Sequence, residues 1–255
     1  GDSMLTSGLH VPLKRNLKRV FANAAVDVEG HPGTGLAKPK FFNWSKKLSE
    51  YQKKSHYDLI LVFLGTNDAQ NFLFNHRVHK FASKNWDSVY ADRALSLIEQ
   101  ACGMADHVVW MGQLPMKDSE FDSKMKHIDE LLSKTLQDHK CSSFMPALHW
   151  VEGDDGGFAS IKPVPHSRTL ATSSAKAKTE QVQIRSVDGI HFSLVGARHY
   201  SRLLAEQIAE SIKKESKTDA KADATTGAKM KEETKEAHEK VTSDVSRESI
   251  SDANL

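Results

Sequence analysis

The stretch "YDLILVFLGTND", Tyr57 to Asp68, limits the architecture more than any other part of the chain. Its apolar run, Leu59 to Leu64, is continuous rather than alternating. A strand that is apolar on both faces has to be covered on both faces, the situation of a strand in a parallel sheet flanked by helices. The run stops at Gly65 and passes into Thr66, Asn67 and Asp68, which favour turns. The loop therefore leaves the carboxyl end of a buried strand, where open α/β sheets bind their ligands.

The rest of the chain alternates in the same way. "VPLKRNLKRVFA" predicts a helix with Leu13, Leu17, Val20 and Phe21 on one face and Lys14, Arg15, Lys18 and Arg19 mostly on the other. Gly30, Pro32, Gly33, Gly35 and Pro39 make the following segment a loop, and a short helix from Trp44 to about Lys53 comes next. "VYADRALSLIEQACGM" reads as a helix and "HVVWMG" as a strand closed by Pro115. Asp118 is suited to cap a helix reaching about His139. "SSFMPAL" is a weaker strand, Lys162 to Thr179 a mobile surface loop, and "QVQIRS" a short alternating strand. A last helix is expected from near Ser193, with Val195, Tyr200, Leu203 and Leu204 on its apolar side.

This alternation predicts a three-layer α/β/α domain over residues 1–214 with a mainly parallel sheet. "GDSM" at Gly1 to Met4 precedes a helix, the place of a loop after a first strand, and that strand is missing from this sequence. Residues 215–255 are rich in Lys, Ala and Glu and nearly free of large apolar side chains. Such a segment cannot bury enough surface to offset its ordering entropy, so a disordered tail is expected there.

A net charge of +2 gives no case for nucleic acid or an anionic membrane as partner. No apolar run reaches the roughly 20 residues of a membrane-spanning helix. Two cysteines, Cys102 and Cys141, are too few for a disulfide framework. They are either buried thiols, the favoured reading, or one bridge, and neither has the spacing of a zinc site.

Four short stretches are candidates for chemistry. Ser3 follows Gly-Asp, and a serine acts as a nucleophile only with a base and a group that orients the base. Asp188 stands three residues before His191 in "DGIHFS", a spacing that can bring carboxylate and imidazole together. Asn67 can aim its side-chain amide at an oxyanion. Gly33 or Gly35 can offer a backbone N–H at close range, having no Cβ. Each alone is more simply a surface or turn residue. Asp68 reads as a brace for its loop, Gln70 as a solvated loop residue, and Trp86, Tyr90 and Arg93 as helix packing plus a surface charge. His31 is a rival base, and His76 and His79 lack the partners of a metal site.

Taken together and in this order, Gly-Asp-Ser, loop glycine, Gly-x-Asn-Asp and Asp-x-x-His before a terminal helix resemble the SGNH (GDSL-type) hydrolase superfamily. "TGLAKPKFFNW", "WDSVYADR", "VWMGQLPM" and "DGIHFSLVGAR" are similar to a bacterial cell-envelope subfamily of it. The resemblance implies a flavodoxin-like fold, Ser3 as nucleophile, His191 as base and Asp188 as its orienter. It implies an oxyanion hole from the Ser3 amide, Gly35 and Asn67. It further implies a serine esterase without metal or organic cofactor, acting on small acyl esters such as O-acetyl groups of an envelope carbohydrate. A periplasmic or envelope location follows, with membrane attachment only through an N-terminal anchor upstream. An O-acyltransferase using the same triad and a non-catalytic envelope binding module are the alternatives.

Overall fold

The computed structural model describes residues 1–22, 24–165 and 179–213. Along the chain come α1 (Ser3–Thr6), α2 (His10–Val20), α3 (Trp44–Gln52), β1 (Tyr57–Val62), β2 (Phe72–Phe74) and β3 (Arg77–His79). They are followed by α4 (Lys84–Cys102), β4 (Ala105–Met111), α5 (Ser119–Leu136), β5 (Ser142–Met145), β6 (Ile161–Pro165) and β7 (Thr179–Gln183). A last helix, α6, covers 194–213. One compact unit spans Gly1–Ala205, and a second begins at Glu206. The tail expected over 215–255 lies outside the described residues.

The central sheet is parallel, in the order β1-β4-β5, with Tyr57 opposite Ala105, Val62 opposite Trp110 and Val108 opposite Ser142. The two-residue period of β4 sorts its side chains into two cores. Val108 and Trp110 join one apolar cluster with Ile98 and Ala101 of α4 and Ile128 and Leu132 of α5. Met111 points the other way and shares a cavity wall with Leu9, Phe63 and Tyr200. On that side Asn16 of α2 donates to Ser201 Oγ of α6 at 2.9 Å. The sheet is thus sandwiched by helices on both faces, the three-layer α/β/α arrangement expected. Fully burying a side chain such as Ile98, Ile128 or Leu132 contributes roughly 1.5–3 kcal/mol each, so the sheet and its helices hold together through these faces.

Helix starts follow local chemistry. Ser83 caps α4, six residues ahead of Val89 where the periodic segment begins, and Asp118 caps α5 through Phe121 N–H. β1 differs from expectation. Leu59, Ile60 and Leu61 are only half-buried, because β1 pairs with β4 alone among the described strands. β2 and β3 form an antiparallel hairpin that the sequence reading left out. Its turn, Asn75-His76, has φ of 48° and 61°, as tight two-residue hairpins require. The loop expected from Lys162 to Thr179 begins and ends in structure. β6 and β7 pair along their whole lengths, Ile161 with Gln183 and Pro165 with Thr179, and the remainder lies outside the described residues.

The cysteines correct the expectation of buried thiols. Cys102 at the end of α4 and Cys141 just before β5 form a disulfide, with Cα atoms 5.9 Å apart. β5 pairs with β4 in parallel from Ser142 opposite Val108, and Val108 N–H donates to Cys141 O, so Cys141 lies beside the amino-terminal half of β4, close to Cys102 just before that strand. His139 Nδ1 lies 3.7 Å from Cys102 Sγ. The bridge closes a loop with a sequence separation of 39 residues, for which chain entropy allows at most about 4 kcal/mol. Replacing both cysteines by serine is expected to cost about 2–4 kcal/mol in urea unfolding. An unchanged midpoint would contradict a bridge that constrains the unfolded chain.

Candidate active site

Ser3 reaches the sheet through its neighbour. Asp2 N–H donates to Phe63 O at 2.9 Å, which fastens the start of the chain to the carboxyl end of β1. The Asp2 side chain then caps α1 by accepting from Met4 N–H at 2.9 Å. Ser3 follows on the first turn, half-buried, and its Oγ lies 3.0 Å from His191 Nε2. His191 Nδ1 lies 2.7 Å from Asp188 Oδ2. The carboxylate makes Nδ1 the protonated nitrogen, so Nε2 presents a lone pair to the serine hydroxyl. Asp188 Oδ1 also accepts from the N–H groups of Ile190 and His191, at 2.8 and 3.0 Å. Burial pushes the Asp188 carboxyl upward, but the His191 ring and these two N–H groups outweigh it and hold the group at about 2. Hydroxyl, imidazole and a carboxylate that is ionised at neutral pH therefore stand in one hydrogen-bonded series.

Asn67 and Gly35 lie in one network next to this series. Asn67 Nδ2 donates to Thr34 O at 3.0 Å and to Asp2 Oδ2 at 3.3 Å. Asp2 thus touches both the serine helix and the asparagine loop. Burial raises its carboxyl to about 6, against the opposing bond from Met4 N–H. Asp68 braces the glycine loop, as its position after Asn67 suggests. Its Oδ2 accepts from Leu36 N–H at 3.0 Å and its Oδ1 from Ala37 N–H at 2.7 Å, while Tyr90 O–H donates to Oδ2 at 2.9 Å. Asp68 is fully enclosed and its pKa is raised, burial outweighing these donors. Gly35 is the position where this closeness forbids any side chain: a Cβ there would sit 2.1 Å from Asp68 Oδ1.

Several supports were not foreseen. Arg93 is not a surface charge. Its guanidinium donates to Leu36 O and Ala37 O at 2.9 and 3.2 Å and lies 4.3 Å over the Phe72 ring. Asp68 and Arg93 thus grip both the N–H and the C=O groups of the same two residues. Tyr90 serves the same loop, besides stacking on Trp86 at 4.6 Å. Gln113, after β4, supports the asparagine loop: it donates to Leu64 O at 3.0 Å and accepts from Thr66 Oγ1 at 2.7 Å. Gly65, between them, has φ +135° and would place a Cβ 2.6 Å from Gln113 Nε2. Gln113 N–H in turn donates to both oxygens of Asp129 at 3.0 Å. Asp129 is pushed up to about 7 by burial, with the Gln113 N–H acting against it.

The remaining candidates have other partners. His31 lies in the glycine loop with Nε2 2.6 Å from Glu29 Oε1 and its ring stacked on Phe42 at 3.9 Å, so it is engaged away from Ser3. Gln70 donates to the carbonyl of Asn67. His76 sits in the β2–β3 turn and His79 stacks on Phe72 at 5.6 Å. Among the described residues, the cluster with metal-ligand potential is Cys102, His139 and Cys141, whose sulfurs are joined to each other. It lies at the amino ends of the strands, opposite the edge that carries Ser3.

Two expectations follow. Gly35→Ala should lose about 1–3 kcal/mol of stability by forcing Asp68 away from the loop, and an unaltered urea midpoint would contradict the close approach. Asp129 titrates at about 7 when folded and near 4 when unfolded. The stability its protonated form lends is complete below about pH 4 and is lost as the pH rises through about 7. Asp129→Asn keeps an acceptor for Gln113 but cannot ionise, so it should gain on the wild type between pH 5 and 8. A stability difference identical at both pH values would refute this.

The sequence matches, over residues 1–210, the family described as "Protein of unknown function (DUF459)". No curated protein matches it. Among solved structures it is similar to a member of the lipolytic protein G-D-S-L family from Veillonella parvula DSM 2008, at 15% identity and a TM-score of 0.52, covering 82% of this chain and 94% of that one. It is similar to an acetylxylan esterase from Geobacillus stearothermophilus, solved as a catalytic mutant, at 14% identity and 0.50, covering 79% and 80%. A GDSL-like lipase from Bacteroides thetaiotaomicron VPI-5482 gives 13% and 0.50, covering 83% and 86%. With its parallel sheet between helical layers and Ser3, Asn67 and His191 gathered at one sheet edge, the chain belongs to the DUF459 family and is built on the SGNH (GDSL-type) hydrolase fold.

Proposed function

We propose that this protein is a serine esterase that hydrolyses small acyl esters, with O-acetyl groups on a cell-envelope carbohydrate as its substrate. The observation that carries the reading is the contact of Ser3 Oγ with His191 Nε2 at 3.0 Å, in series with Asp188. His191 takes the hydroxyl proton as Ser3 attacks the ester carbonyl, and Asp188 stabilises the imidazolium that forms. The tetrahedral oxyanion is held by the Ser3 amide and Asn67 Nδ2. Thr34 O faces Asn67 Nδ2, so the N–H of the same trans peptide, that of Gly35, points away from the asparagine and does not share that oxyanion. Asn67 meets it by giving up its longer bond, the one to Asp2 Oδ2. His191 then protonates the leaving alkoxide, and water repeats the sequence on the acyl-enzyme. No step calls for a metal or organic cofactor.

Two further observations support the reading. Similar folds include a lipolytic G-D-S-L protein and an acetylxylan esterase. The Cys102–Cys141 disulfide favours an oxidising compartment, which agrees with a periplasmic or envelope location.

Hydrolysis of p-nitrophenyl acetate tests the reading. Ser3→Ala should lose about 10⁴-fold or more in kcat. Asn67→Ala should lose on the order of 10²–10³-fold, the effect of one oxyanion donor. Equal rates for Ser3→Ala and the wild type would end the proposal.

A further inference from the structure

Arg185 is fully buried, and no part of the mechanism above uses it. Among the described residues its guanidinium donates to Pro115 O at 2.8 Å, Ile190 O at 2.7 Å and Gly189 O at 3.3 Å, with Met116 Sδ at 3.8 Å. Its Nε has no hydrogen-bond partner among the described residues. The Phe158 and Phe192 rings lie 5.0 and 5.8 Å from its Cζ. Burying a charge among carbonyls and rings is costly, so the arrangement calls for a reason. Burial brings Arg185 down to about 10, which still leaves it charged at neutral pH.

The acceptors supply the reason. Gly189 and Ile190 are the two residues between Asp188 and His191, while Pro115 and Met116 belong to the loop leaving β4. Bonds within the turn already set its shape: Gly189 N–H to Ser186 O, Ser186 N–H to His191 O, and two N–H groups to Asp188 Oδ1. None of these bonds tells the turn where to sit relative to the sheet. Ile190 packs on the apolar cluster and Phe192 on Tyr200, and the directional links among the described residues are Lys117 N–H to Gly189 O at 3.2 Å and the Arg185 fork. A planar guanidinium reaches several carbonyls in fixed directions at once, which a lysine ammonium cannot do.

We propose that Arg185 is a positioning residue that pins the Asp188–His191 turn to the loop after β4 and so sets the reach of His191 Nε2 to Ser3 Oγ. The catalytic part of this inference rests on the esterase reading, whereas the placement part does not. It predicts that Arg185 variants keep the Asp188–His191 bond, which is internal to the turn, yet lose the Ser3–His191 contact. A merely structural arginine would lower stability without separating the two.

The test uses the full chain with Arg185→Lys and Arg185→Gln, each verified as cooperatively folded by urea unfolding. Crystal structures of wild type and variants read placement, the low-field Nδ1–H proton resonance of His191 reads the internal bond, and p-nitrophenyl acetate kinetics read the consequence. The expected result is a Ser3–His191 separation lengthened beyond hydrogen-bond range with the resonance retained. With it, kcat falls about 10–100-fold in the lysine variant and further in the glutamine variant, while KM stays within about threefold. A variant with the contact intact, or with wild-type kcat, overturns the inference. So does failure of both variants to fold, which would make Arg185 a stability element. If the wild type itself hydrolyses no ester, the esterase reading fails, and the crystallographic separation alone decides whether Arg185 places the turn.

Discussion

The hydrogen bond between Ser3 and His191 joins residues 188 positions apart, and the rest of the site is arranged around that meeting. It is possible because a parallel sheet sends all its strand exits to one edge. Asp2 fastens the serine helix to the exit of β1 through Phe63 O. Asn67 rides on the loop that follows the same strand, and the histidine turn is tied to the loop that follows β4 through Arg185. No two of these segments are adjacent in sequence. Their convergence is a property of the sheet, which is why the cores on its two faces matter for a chemistry that takes place outside them.

The site is held by enclosed and half-enclosed polar groups in addition to apolar packing. Asp68, Arg93 and Tyr90 grip one loop, Gln113 and Asp129 a second, and Arg185 the third. Each is expensive to enclose, and a well-packed apolar substitute can match or exceed the stability of such groups. Hydrogen bonds have what apolar contact lacks, fixed direction. A carboxylate that catches successive N–H groups of Leu36 and Ala37 fixes the peptide planes next to Gly35, where an error of an ångström would matter most. The glycines complete the same design. Gly35 and Gly65 are where the backbone passes so near Asp68 and Gln113 that no Cβ fits.

Much of this was readable from local pattern. The apolar run Leu59–Leu64 and "HVVWMG" declare their strands, Asp118 declares its helix, and the order of the four short motifs points to Ser3, Gly35, Asn67, Asp188 and His191. What escaped depends on contacts between distant segments. Arg93 looks like a solvated charge because nothing in α4 reveals that Leu36 and Ala37, 57 and 56 residues earlier, lie over it. Arg185 looks like one polar residue in an alternating strand, yet it faces the loop after β4. The cysteines carry no local pairing signal because their proximity comes from the parallel pairing of β5 with β4. The β2–β3 hairpin was hidden because its turn is Asn-His rather than Asn-Gly, although asparagine at positive φ is the usual mark.

Whether Ser3 is a nucleophile activated by His191 is examined most directly by covalent labelling. A fluorophosphonate incubated with the intact protein should add one phosphonyl group to the peptide bearing Ser3, located by mass spectrometry, and His191→Ala should slow that addition by several orders of magnitude. Addition to some other residue, none at all, or an equal rate without the imidazole would mean that His191 does not activate Ser3.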